Sequence, residues 1–269
     1  MKNYIIVLFA VLAIQFTTMA QYKTSVNTGK FYMGFGTSVS SFLGGEFGKV
    51  YSIRLNYSPD YYDDYGSYNS YGYNSYSNND SYLMYSPIQL DVNAGAYVTE
   101  KLAVELESSF IWHLRGKPDP ELNSGYIGND YFTEKNDNST LFAIPLLMNV
   151  KFFPGGRVNS PFYIKAGGGF QYVSESTERI REYYTDDGYY YNQYNGSEII
   201  ASYSKKTWLP GFKFGAGVSY SVFQDMSAFT EIEYSYFKNT STKGNTPLAL
   251  DKARYTGLLA LNTKIYFSF

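Results

Sequence analysis

The chain has no cysteine. That excludes a disulfide framework, a thiolate metal site, a cysteine nucleophile and an acylated-cysteine lipid anchor. A single histidine leaves no room for a histidine-rich metal site. Charged residues make up 17% of the 269, below the ~25% of soluble domains. The net charge of −2 argues against an electrostatic nucleic-acid partner. Past the N-terminal segment there is no run of about 18 apolar residues, so no helix is expected to span a membrane. Aromatics are plentiful instead: 31 Tyr and 20 Phe against 2 Trp, with 24 Gly.

Lys2 precedes an apolar run from Tyr4 to Ile14, followed by Thr18-Met19-Ala20. A charged start, a short apolar run and small residues before a cut are the marks of a cleavable export signal. The expected division is a signal peptide over 1–20 and one barrel domain over 21–269.

The remainder alternates apolar and polar residues with a period of two in eight segments, the mark of strands with one apolar face. They run over 31–40, 88–98, 102–114, 141–153, 162–173, 211–220, 228–236 and 254–269. At roughly 9–16 residues each, they match tilted transmembrane strands better than the five or six residues usual in globular sheets. The apolar face has aromatics at its edges (Phe31, Trp112, Phe152, Phe162, Tyr172, Tyr220, Tyr236, Tyr255, Phe267) and aliphatics between, as in two interfacial girdles. The polar face carries Asp91, Glu105, Glu107, Glu231 and Glu233 with Lys151, Lys165, Lys213, Arg254 and Lys264. Equal numbers of acids and bases suit a closed lumen, where an unpaired charge is costly.

Short connections (99–101, about 154–160, 223–225) take turns with long ones (about 43–86, 115–140, 174–207 and 239–252). The expected fold is all-β: an eight-stranded antiparallel up-and-down transmembrane β-barrel with three short periplasmic turns and four long extracellular loops. The segment 47–57 is read as an extension of the first strand or a hairpin within loop one. Pro145 removes a ladder donor, and a bulge is expected there.

The chain ends Lys264-Ile265-Tyr266-Phe267-Ser268-Phe269. This ending, with the export signal and the eight strands, resembles the outer-membrane β-barrel domain family of Gram-negative bacteria, the porin-like group of small OmpX, OmpW and PorT types. The resemblance covers nearly all of residues 30–269. It implies outer-membrane residence in contact with lipid, and folding by the barrel-assembly machinery, with Tyr266, Phe267 and Phe269 as the assembly signal. It implies no active-site residues and no cofactor.

Residues 58–85 hold nine Tyr among 28 positions, mostly with Ser, Asn, Asp and Gly. Loop three has the same flavour. Such mixtures suit adaptable recognition, and Tyr61, Tyr62, Tyr65, Tyr183, Tyr184 and Tyr189 are candidate contacts for a surface ligand or protein partner. Low-complexity loops without a ligand are the bland reading. The acid pairs Asp63-Asp64 and Asp186-Asp187, with Asp60 and Asp80, lack the spacing of a calcium loop. His113 shares a strand face with Ser109 and Glu107, but no nucleophile motif accompanies them, and a hydrogen-bonding lumenal His is the simpler reading. The functional expectation is a non-enzymatic outer-membrane barrel with a filled ionic lumen and a structural or surface-interaction role. A narrow pore or transporter for small or apolar solutes, and a PorT-like component of a secretion assembly, are the alternatives.

Overall fold

The computed structural model describes residues 31–43, 45–51, 88–113, 122–128, 130–157, 160–186, 192–223, 225–241 and 243–269. The expected signal peptide lies outside them, as do Tyr61, Tyr62, Tyr65, Tyr189, Asp60, Asp63, Asp64, Asp80 and Asp187.

The elements in chain order are β1 (Phe31–Phe42), α1 (Gly45–Tyr51), β2 (Ile88–Tyr97), β3 (Leu102–His113), β4 (Asn123–Ile127), β5 (Asp130–Phe152), β6 (Phe162–Asp186), β7 (Asn192–Phe223), β8 (Met226–Lys238), α2 (Ala249–Lys252) and β9 (Tyr255–Ser268). Every strand pairing is antiparallel. The sheet runs β3-β2-β1-β9-β8-β7-β6-β5-β4, and β3 also pairs with β5. That extra pairing closes eight strands into a ring and leaves β4 outside it.

Side chains alternate across the wall. In β3, odd positions (Glu105, Glu107, Ser109, Ile111, His113) are buried, while Leu102, Val104, Leu106, Phe110 and Trp112 are exposed. The outward face of β1 shows Phe31, Met33, Phe35 and Val39, and that of β5 shows Leu146, Met148, Val150 and Phe152. An apolar surface this continuous on the outside, with the charges inside, inverts the usual soluble arrangement. From Phe142 to Phe152 the belt spans about 33 Å of strand, or about 25 Å of height at a ~40° tilt, which matches a hydrocarbon layer.

Closure brings large rings against a bare backbone in the lumen. Gly34 lies opposite Tyr266 and Gly95 opposite Tyr32. A Cβ on Gly34 would sit 2.7 Å from Tyr266 Cδ1, and one on Gly95 would sit 2.5 Å from the Tyr32 hydroxyl. These glycines are the space that the tyrosines occupy.

Four sequence expectations are corrected. Of the segment 47–57, residues 52–57 lie outside the described residues, and 47–51 belong to helix α1 rather than to a strand or hairpin, because Phe47 and Tyr51, four apart, share the helix face that turns into the barrel mouth. Loops two and three are largely strand: β4 and the upper part of β5 fill most of 123–140, and β6 and β7 fill 174–186 and 192–207. Their two faces are both polar, so they lack the apolar alternation that marks a lipid-facing strand; opposite charges on neighbouring strands support them instead. Loop four ends in α2. Pro145 sits in register with Gln171 with no bulge. On its other side the β3 ladder passes from Ser108–Leu146 to Ile111–Ala143, so the missing donor falls in a local gap of pairing.

Gly95→Val should overpack the lumen against Tyr32 and destabilise the barrel by about 1–3 kcal/mol, read as a lower temperature of heat-induced unfolding on a cold gel. Ala94→Val is the matched control in the outward direction: this side chain faces away from the lumen, so the substitution should leave that temperature unchanged.

Candidate functional site

The lumen is filled in three storeys. At the end near the short turns is an aromatic floor of Tyr32, Tyr97, Phe153, Tyr163, Phe229 and Tyr266. Phe229 and Tyr266 have ring centroids 4.2 Å apart, and Tyr32 lies 4.8 Å from Tyr97. Lys151 rises through this floor with its Nζ 4.5 Å from the Tyr266 ring centre and 4.8 Å from that of Phe229. Its ammonium reaches Glu105 at 2.8 Å and Glu231 at 3.2 Å.

Above the floor is an ionic knot. Lys165 bridges Glu107 (3.0 Å) and Glu231 (3.0 Å), and also pairs with Glu233. Lys213 bridges Glu107 (2.7 Å) and Glu233 (3.0 Å). Lys264 reaches Glu231 at 2.8 Å and Glu107 at 3.3 Å. Neutral donors complete the shell: Asn149 donates to Glu107 (2.7 Å), Asn93 to Glu105 (3.0 Å), Asn262 to Glu233, and the Tyr163 hydroxyl to Glu231 (2.5 Å). All of these charged side chains are almost fully buried. Each carboxylate therefore exchanges its hydration for several donors, the condition under which buried charge is tolerated.

Of the ten charged residues assigned to the lumen from sequence, the structure brings nine inside. Asp91 stands at the margin of the knot, where it accepts a hydrogen bond from Gln89 Nε2 at 2.8 Å. Arg254 is the correction: it is exposed and lies in the bend before β9, outside the barrel. Its position fits the even-numbered inward series of β9, but the chain turns toward α2 before that series reaches it. Within that set the lumen thus holds five carboxylates and four lysines rather than equal numbers. Tyr266 of the C-terminal signal points inward to the floor, while Phe267 and Phe269 are exposed on the outer surface, and the Phe269 N–H donates to Phe31 O at 2.9 Å.

The third storey is an apolar cap that sequence reasoning missed. Phe42, Ile111, Leu141, Leu147, Val173, Leu209, Phe237 and Leu258 line the far end of the lumen, and Phe47, Tyr51, Ala249 and Leu250 from the two helices close over them. The signal was loss of alternation: Phe110-Ile111-Trp112, Leu146-Leu147-Met148, Tyr172-Val173, Trp208-Leu209 and Tyr236-Phe237 are apolar on both faces at this height. Glu175, in β6, secures the cap. It accepts the Tyr51 hydroxyl (2.9 Å) and the N–H groups of Ala249 (2.8 Å) and Leu250 (2.7 Å), which gives α2 the N-terminal partner its own Leu248 does not supply. Asn239 Nδ2 donates to Leu250 O (2.6 Å) and Ala253 O (2.9 Å) at the other end of α2. His113 is part of the cap, its ring 5.2 Å from that of Tyr51. Glu107 is committed to the knot, so the His113, Ser109 and Glu107 series does not form a catalytic relay.

Beyond the girdle stands an arm made of β4 with the upper parts of β5, β6 and β7. From Tyr172 to Asp186 it covers about 45 Å of strand. Tyr183 and Tyr184 are strand residues here, not loop residues. Tyr126, Tyr131, Tyr184 and Tyr194 lie directly opposite one another across the four strands, with ring centroids 5.4, 6.3 and 6.0 Å apart. On the other face Arg181 holds Glu134 (2.6 Å) and Glu198 (3.3 Å), and the Tyr183 hydroxyl donates to Glu198. Among the described residues no group of three or more His, Asp or Glu could hold a metal ion.

Two outcomes test the interior and the cap. Lys165→Met removes a cation shared by several carboxylates and should cost about 3–5 kcal/mol; Glu107→Gln, which evens the charges and keeps an acceptor, should cost clearly less in the same unfolding assay. Burial opposes ionisation of Asp251, but hydrogen bonds from Lys205 and Thr246 hold its carboxyl below the ordinary value of 3.8. A depressed acid contributes stability above its unfolded value and loses it as pH falls through its folded one. Asp251→Asn should therefore lower the unfolding temperature at pH 7, with the difference from wild type vanishing well below about pH 4.

No protein-family model matches the chain, and no curated protein is similar to it. Among solved structures the chain is similar to Neisserial surface protein A, with 11% identity, 89% of this chain and 97% of that chain covered, and a TM-score of 0.40. It is similar to Ail, the attachment invasion locus protein of Yersinia pestis, with 12% identity over 90% and 100% of the two chains and a TM-score of 0.38. A major outer membrane protein of Thermus thermophilus gives 12% identity over 90% and 100%, with a TM-score of 0.40. All three are outer-membrane β-barrel proteins.

Proposed function

We propose that the protein is a non-enzymatic outer-membrane β-barrel that displays a rigid recognition arm at the cell surface. The apolar outer wall, about as tall as a hydrocarbon layer, supports membrane residence. The export signal read at residues 1–20 supports delivery there, and the C-terminal aromatic strand supports insertion by the barrel-assembly machinery. The filled lumen argues against a conducting pore, because floor, knot and cap each occupy its cross-section.

The observation that carries the recognition role is the row of Tyr126, Tyr131, Tyr184 and Tyr194 on four paired strands. Tyr126 and Tyr194, at its two ends, are 66% and 55% exposed. A registered row of tyrosines offers a large contact area with little side-chain freedom to lose, on a sheet fastened to a membrane anchor. The ligand class this suits is a surface glycan or protein.

The test has two parts. Purified protein in a planar bilayer should give a closed trace; steady conductance would replace this reading with the pore. Cells displaying the wild type should bind glycan and matrix-protein arrays more strongly than cells displaying Tyr126→Ser, Tyr131→Ser and Tyr194→Ser together, at equal surface level. Equal binding would remove the tyrosine row from function.

A further inference from the structure

We infer that the flank formed by β7, β8 and β9 carries a binding surface for the phosphate of anionic membrane lipids, centred on Lys206, Lys238 and Arg254. This inference rests on the membrane reading above. All three side chains are exposed. Each stands next to an aromatic of the girdle bordering the cap. Lys206 is two residues beyond Trp208 on the outward face of β7. Lys238 is two beyond Tyr236 on the outward face of β8, and it is opposite Tyr255 of β9. Arg254 directly precedes Tyr255, and its carbonyl accepts the Asn239 N–H at 2.9 Å. Lys243 and Lys252 are exposed in the connection above them.

These bases are uncompensated. Among the described residues, none of the five side chains takes part in an ion pair, whereas the arm's Lys135 and Arg181 are paired with Glu182 and Glu134. The nearby acids are engaged inward: Asp251 with Lys205 and Thr246, and Glu175 with the N–H groups of α2. Five like charges on one flank repel each other unless an anion lies among them. Just past a girdle of Tyr and Trp, the anion within reach is the lipid headgroup phosphate. Arg adds a planar fork suited to phosphate oxygens, and lysine adds a mobile point charge.

Trp208 makes this testable, because it borders the cluster and is 52% exposed. Trp112→Phe leaves it as the one donor for energy transfer to a dansyl group on a lipid acyl chain. This variant is reconstituted in phosphatidylcholine vesicles holding a trace of either dansyl-phosphatidic acid or dansyl-phosphatidylcholine. Transfer from Trp208 to labelled phosphatidic acid should exceed transfer to labelled phosphatidylcholine. Adding Lys206→Gln, Lys238→Gln and Arg254→Gln should abolish the excess, weakening enrichment about fivefold per base removed. Lys101→Gln, at the opposite rim, should leave it unchanged. Equal transfer from Trp208 to the two labelled lipids would overturn the inference while leaving the membrane barrel standing. Absence of transfer from Trp208 to any lipid would overturn the membrane reading itself.

Discussion

The rest of the structure depends on the neutralisation of charge inside a closed wall. Outward side chains that must face hydrocarbon force the alternate positions of the same strands inward, where there is no bulk water to solvate them. Lys165 and Glu107 settle this by sharing: each touches several opposite charges from strands distant in sequence. Such a knot forms only when β3, β5, β6, β7, β8 and β9 are all in place. It therefore ties closure of the ring to correct register, since a one-residue slip would turn these charges toward lipid.

The aromatic floor and the apolar cap follow from that constraint. A buried ion pair is stronger the better water is excluded from it. Tyr32, Tyr163 and Tyr266 do this below while offering hydroxyls to the knot, and cross-strand glycines such as Gly34 and Gly95 give their rings room. Above, α1 and α2 complete the seal, and Glu175 ties them to the wall. The result is a filled lumen beneath an arm in which β5, β6 and β7 continue from the barrel wall and β4 is added at the edge. That continuity makes the arm an extension of the membrane anchor, with ion pairs on one face and the tyrosine row on the other. The cationic flank lies where the arm leaves the wall, beside Trp208, Tyr236 and Tyr255.

Much of this was legible in the sequence. Strand positions, antiparallel order and the inward placing of nine charged residues all followed from a period of two. Arg254 was misplaced because parity was carried past the end of β9; a bend ends a pattern without changing its letters. The ionic knot was legible as a composition but not as a set of partners. The cap was hidden because its inward residues, Ile111, Leu147 and Leu209, adjoin outward apolar residues and blur the alternation. The strands of the arm were hidden for the opposite reason. Glu134, Arg181 and Glu198 form a ladder of opposite charge across three strands, and that order is invisible until the strands are set side by side.

By itself, then, the sequence determined which face of each barrel strand is apolar and how long that face runs, because side-chain alternation is a local property of an extended chain. Tertiary structure alone decided which charges meet, how α1 and α2 seal the mouth, and that four tyrosines far apart in the chain line up. Those outcomes depend on register between strands, and register is set by closure of the ring rather than by any one segment.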